Sequence, residues 1–216
     1  MTKLSQKTYT RIMLIRHPET VANVEHRYVG RGDTDYTARG RREADELVEA
    51  LGVMRPGLVV SSPSPRCSRV ARRIAEATGA TFEVMDDLAE IDFGAAEGLT
   101  YDEASRMGIS MDLLGGPADG AAFEGGETWS DLSRRVCRSM LRLAGVGGCA
   151  VVLTHSGFIR QALTAALEAP HTSAWHLAVA HASVSVLTVS EEYAVLEAFG
   201  LPASSALTWA EGCRRP

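Results

Sequence analysis

The stretch Ile12-Met13-Leu14-Ile15-Arg16-His17-Pro18-Glu19-Thr20 decides the fold. Its apolar residues read as the end of a β-strand beginning near Thr10, and its polar residues lie where that strand stops. Two distant stretches repeat the design: Val59-Val60-Ser61-Ser62-Pro63-Ser64-Pro65-Arg66 and Val151-Val152-Leu153-Thr154-His155-Ser156-Gly157. A fourth, Glu90-Ile91-Asp92-Phe93-Gly94, adds a carboxylate. Open α/β sheets bind ligands outside the carboxyl ends of their strands. The pattern therefore delivers two arginines, two histidines and a glutamate to one sheet edge.

Working outward, apolar runs alternate with helical periods, which points to α/β architecture. Thr37 can cap a helix from Ala38 to about Leu51, with Ala44, Leu47, Val48 and Leu51 on one face. Leu58–Ser61 reads as a strand buried on both sides. A helix from about Pro65 to Thr78 stops at Gly79, and Thr81–Val84 is a third strand. Residues 94–126, rich in Gly, Ala and Asp, read as an irregular lid with one short helix near Tyr101–Met107. An amphipathic helix follows over Glu127–Leu143, then a strand over Cys149–Thr154 and a helix from Gly157 to about Leu167. Val184–Val189 and Tyr193–Phe199 form a terminal strand pair, and the chain from about Leu201 reads as a loose tail. The whole reads as a single domain over residues 1–216.

The side chains specify phosphate chemistry. His17 is the candidate nucleophile, since neutral imidazole attacks well near pH 7. Arg16 and Arg66 are the candidate clamp, because a guanidinium fork matches two phosphate oxygens. Arg66 falls in the first turn of its helix, where the dipole and free N–H groups also favour an anion. Thr20 and Asn23 can donate from the His17 loop, and Ser156 and Gly157 form a strand-to-helix turn suited to phosphate. His155 is read as a charged donor to the phosphoryl oxygens. Glu90 is the candidate general acid and then base, a role that requires a raised pKa. Gly125-Gly126-Glu127-Thr128 can bring flexible backbone and a carboxylate to the substrate, and Glu97 can cap the short helix or order the lid. His26, His171, His176 and His181 receive no catalytic role, although Trp175-His176 can line a pocket edge.

Arg16-His17-Pro18-Glu19-Thr20 with Asn23 resembles the signature of the histidine phosphatase superfamily. The order also resembles it: Ser-x-x-x-Arg next, Glu before Phe-Gly-x-x-Glu-Gly, then Gly-Gly-Glu-Thr and Thr-His, from about Arg11 to Val189. The resemblance implies the phosphoglycerate-mutase-like fold, a three-layer open and mostly parallel sheet with helices on both faces. It selects Glu90 over Asp86 and Asp87. It implies a phosphomonoester hydrolase acting on small phosphorylated metabolites through a phosphohistidine on His17. A phosphoglycerate mutase and a non-catalytic phospho-ligand-binding relative are the alternatives. The Trp175-His176 neighbourhood is similar to α-ribazole phosphatases. Pro18 departs from the family's usual Gly, and this loop loses one N–H donor.

Bulk composition narrows the partners. The 216 residues are 45% hydrophobic and 23% charged, ordinary for a globular chain. A net charge of −5 argues against nucleic-acid and membrane-surface partners and, beside a cationic site, favours a small anionic substrate. No run is long enough for a signal or spanning segment, so a cytoplasmic location is expected. The cysteines at 67, 137, 149 and 213 include no Cys-x-x-Cys and read as reduced core residues. His17-Pro18-Glu19 lacks zinc-site spacing, and two arginines would repel a cation, so neither metal nor cofactor is expected. Oligomeric state is left open by these features.

Overall fold

The structure is a computed structural model that describes residues 9–109, 123–190, 192–206 and 208. In chain order its strands and α-helices are β1 (Thr10–Arg16), α1 (Val21–Val24), α2 (Ala38–Gly52), β2 (Leu58–Ser61), α3 (Pro65–Thr78), β3 (Thr81–Val84), α4 (Tyr101–Arg106), α5 (Trp129–Ala144), β4 (Gly148–Thr154), α6 (Ser156–Ala166), β5 (Val184–Val189), β6 (Ala194–Leu201) and α7 (Ala203–Ala206). They build one six-stranded sheet in the order β3-β2-β4-β1-β5-β6. The first four strands of that order run parallel, and β5 and β6 are antiparallel additions at one side.

The continuous apolar runs are explained by burial on both sheet faces. Successive residues point to opposite sides. Met13, Ile15, Val59, Val151 and Leu153 pack under α2 and α3 with Leu47, Leu51, Val70 and Ile74. Ile12, Leu14, Val60 and Val152 pack under α5 and α6 with Leu132, Val136, Phe158 and Leu163. All of these are essentially inaccessible. Each contributes roughly 1.5–3 kcal/mol by leaving water, so two filled layers hold the sheet rigid beneath its carboxyl edge.

Local signals set the boundaries. Thr37 Oγ accepts from Gly40 N at 2.9 Å and starts α2. Pro65 opens α3, and Gly79 closes it at a left-handed φ of 69°. Thr128 caps α5, which therefore starts at Trp129 rather than at Glu127. In the region read as a lid, α4 is held by a reciprocal Thr100–Glu103 capping box. Residues 110–122 of that region lie outside the described residues.

Two expectations need correction. The chain past Leu201 is not simply a tail, because α7 follows directly and Ala203 is buried in the α2–α3 core. Cys67 is free and buried as expected, but Cys137 is free and exposed, and Cys149 is disulfide-bonded. Among the described residues, no helix is long and apolar enough to cross a membrane.

Candidate active site

Register brings the strand ends together. Arg16 lies opposite Thr154, and Ser61 opposite Leu153. Pairing continues one residue further, with His17 N donating to Thr154 O (3.0 Å) and Ser62 N to Leu153 O (2.9 Å). The His17 and His155 rings leave the sheet side by side, 5.2 Å apart and edge to face. His17 Nδ1 lies 2.8 Å from Pro18 O. A carbonyl only accepts, so the ring proton sits on Nδ1 and the lone pair on Nε2. Burial, then the charges of Arg16 and Arg66, hold His17 well below the usual imidazole pKa of 6.5. It is an unprotonated base at neutral pH.

The two arginines are fixed by backbone carbonyls, with donors left over. Arg66 is 1% exposed. It donates through Nη1 to Gly32 O and through Nη2 to Val29 O and Gly30 O. Three of its five N–H groups are thus taken. Glu97 holds that loop from the other side, accepting from Gly30 N and Gly32 N at 2.9–3.1 Å. Glu97 thus orders the Arg66 support loop and does not cap the short helix, whose capping box is Thr100–Glu103. Arg16 donates through Nη1 to Val179 O at 2.6 Å, while its buried Nε has no partner. Burial pulls its pKa down to about 10, which leaves it charged at neutral pH. An unpaired buried donor costs about 1–3 kcal/mol, so the site is built to receive an acceptor.

Glu90 is buried beside the start of α6. Its carboxylate accepts from Gly157 N at 3.0 and 3.2 Å, Ile91 N at 3.0 Å and Ser156 Oγ at 3.3 Å. A Cβ on residue 157 would fall 2.3 Å from Glu90 Oε1, so only glycine permits this contact. Ser156 and Gly157 therefore serve Glu90 directly while also lining the cavity. Behind Glu90, Arg135 donates to the carbonyls of Asp87, Ala89 and Glu90 and forms a buried double ion pair with Glu127. Glu127 is thus committed to Arg135 and does not line the cavity, contrary to its reading as a substrate contact.

His155 is fully buried, with Nε2 2.8 Å from Ser62 Oγ. Burial first, then Arg66, keeps it well below the ordinary histidine pKa. It is a neutral imidazole set behind the cavity lining, not the charged donor to the phosphoryl oxygens read from sequence. Cys67 Sγ packs 3.5 Å from its ring, and burial pushes that thiol up to about 12, so it stays protonated. Thr20 donates through N and Oγ to Asn23 Oδ1, leaving the Asn23 amide N–H groups as the donors of this loop.

These groups meet in a cavity of about 380 Å³. Its lining includes the predicted Arg16, His17, Thr20, Asn23, Arg66, Glu90, Ser156 and Gly157. His155 lies behind this lining, against His17. The sequence reading missed Arg160, Tyr28, Phe93 and Tyr101 in the wall; Trp175 lines it as foreseen, but His176 does not. Arg69 and Arg73 pair with Asp35 and Asp45 outside the cavity.

Comparison with known proteins identifies relatives of this chain. The chain aligns over 191 residues with the "Bifunctional protein Rv2228c" of Mycobacterium tuberculosis at 35% identity, covering 87% of this chain and 51% of that protein. It aligns with the "Probable phosphoglycerate mutase GpmB" of Salmonella paratyphi C at 33% identity over 127 residues, covering 58% of this chain and 59% of that one. The chain thus spans only about half to three-fifths of these curated relatives. Among solved structures, the α-ribazole phosphatase of Shigella flexneri superposes with a TM-score of 0.77 at 26% identity, covering 88% of this chain and 96% of that one. A mycobacterial glucosyl-3-phosphoglycerate phosphatase superposes with a TM-score of 0.73 at 25% identity, covering 89% and 99%. The family model of the histidine phosphatase superfamily (branch 1) matches residues 12–202, and the chain belongs to that superfamily.

Proposed function

We propose that this protein is a metal-independent phosphomonoester hydrolase that works through a phosphohistidine on His17. The observation that carries the reading is the pairing of a neutral His17 Nε2 with arginine N–H donors in one cavity that also holds the Glu90 carboxyl group. A cavity of about 380 Å³ suits a small metabolite, at the lower end of the roughly 300–1,000 Å³ typical of ligand sites. The phosphate group enters between Arg16 and Arg66, with Asn23 as a further donor. The Nε2 lone pair attacks phosphorus as the bond to the ester oxygen breaks. A protonated Glu90 gives its proton to the departing alcohol. Water then attacks the phosphohistidine, Glu90 takes the proton back, and the N–P bond breaks to release inorganic phosphate. The arginines supply the charge stabilisation that a metal supplies elsewhere, and two guanidinium groups in one cavity repel a cation.

Glu90→Gln tests the proton route. Gln keeps the shape but cannot deliver a proton. It is expected to slow alkyl phosphates about 10²–10⁴-fold and aryl phosphates far less, because a good leaving group needs little protonation. Equal losses on both classes would assign Glu90 a structural role. Hydrolysis itself is checked by incubating purified protein with a panel of phosphorylated metabolites. Phosphate should be released from at least one monoester, and phosphoglycerate should yield no isomer. Interconversion of phosphoglycerates faster than any phosphate release would replace this reading with a mutase.

A further inference from the structure

Arg160 has no role in the chemistry above, yet it lines the same cavity. It lies three residues after Gly157 on α6, hence on the same helix face and about one turn, roughly 5 Å, further along. Gly157 N holds Glu90, the group assigned to the leaving oxygen. Arg160 therefore stands on the leaving-group side of the cavity, beyond the transferring phosphate. Its Nε donates to Leu177 O at 2.9 Å, and its guanidinium lies 5.0 Å from the centre of the Trp175 ring. These two contacts fix the plane of the fork and leave its Nη groups without an acceptor among the described residues. No carboxylate among the described residues pairs with it, whereas Arg27 in the same wall is engaged by Glu25 and Glu103. Trp175 adds a second signal: its Nε1–H is buried and has no hydrogen-bond partner. Two sets of donors, adjoining and unanswered, ask for an acceptor that the ligand must bring.

We infer that Arg160 and Trp175 form a subsite for a second anionic group, a carboxylate or another phosphate, on the alcohol portion of the substrate. This rests on the hydrolase reading and narrows it to monoesters whose leaving group is itself anionic.

The test compares 4-carboxyphenyl phosphate with 4-carbamoylphenyl phosphate, its uncharged near-isostere, in the wild type and in Arg160→Gln and Arg160→Lys. Wild-type kcat/KM should favour the carboxylate about tenfold or more, the worth of a charge-assisted hydrogen bond. The ratio should collapse to about one in Arg160→Gln and be partly kept in Arg160→Lys. Circular dichroism establishes that each variant is folded, and the ratio within one variant cancels any general loss of activity. A wild-type ratio near one, or a ratio unchanged in Arg160→Gln, overturns the subsite while leaving the hydrolase intact. Turnover of neither ester while the metabolite panel releases phosphate overturns the subsite; no release from either set overturns the hydrolase reading, and the subsite falls with it.

Discussion

His17→Ala is expected to lower turnover of any accepted monoester by on the order of 10⁴-fold or more, the scale on which removal of a covalent nucleophile acts. The loss should fall on kcat, with substrate still bound by Arg16 and Arg66, so that inorganic phosphate inhibits or protects the variant much as it does the wild type. The structure explains why no neighbour can take over. His155 is locked against Ser62 and screened from the cavity by His17, and Cys67 is a buried, protonated thiol. A His17→Ala enzyme with near wild-type kcat would remove the basis of the mechanism.

Arg66→Lys should be nearly as severe, with kcat/KM reduced about 10²–10³-fold, the usual cost of removing a transition-state donor. Lysine keeps the charge, but it cannot place one plane of N–H groups toward phosphate and the other toward Val29, Gly30 and Gly32. Of the carbonyls it abandons, that of buried Gly30 is enclosed, and leaving it unsatisfied costs about 1–3 kcal/mol. The melting temperature should therefore drop along with activity. Chelators should leave the wild type unaffected. A lysine variant of full activity, or a wild type silenced by chelator and restored by a divalent ion, would contradict the guanidinium clamp.

The fold was legible where local chemistry and burial agree. β2, α3 and β3 match the sequence reading to the residue because an apolar run, Pro65 and Gly79 punctuate them clearly. Short elements escaped. α1 spans four residues, α7 another four, and the turn of 3₁₀-helix at His171–His176 is also brief, too short for any hydrophobic period to show. In the site, His17, Arg66, Glu90 and His155 were legible because strand ends announce themselves and register does the rest. Arg160 was not. In sequence it is one more helical arginine, and only packing of α6 against Trp175 turns it toward the cavity. Glu127 misled for the complementary reason. Its partner Arg135 lies eight residues away on α5, and nothing local indicates that the two close over the backbone of Glu90. The buried, neutral state of His155 is likewise a tertiary property, set by enclosure and by Arg66.

The most direct measurement is to catch the intermediate. Wild-type protein mixed with a ³²P-labelled monoester and quenched in base within milliseconds should carry label that is stable in base, lost in acid, and mapped by peptide sequencing to His17. His17→Ala should carry none. Label that is absent at every quench time while turnover proceeds, or that resides on a serine, cysteine or carboxylate, would contradict a reaction routed through His17.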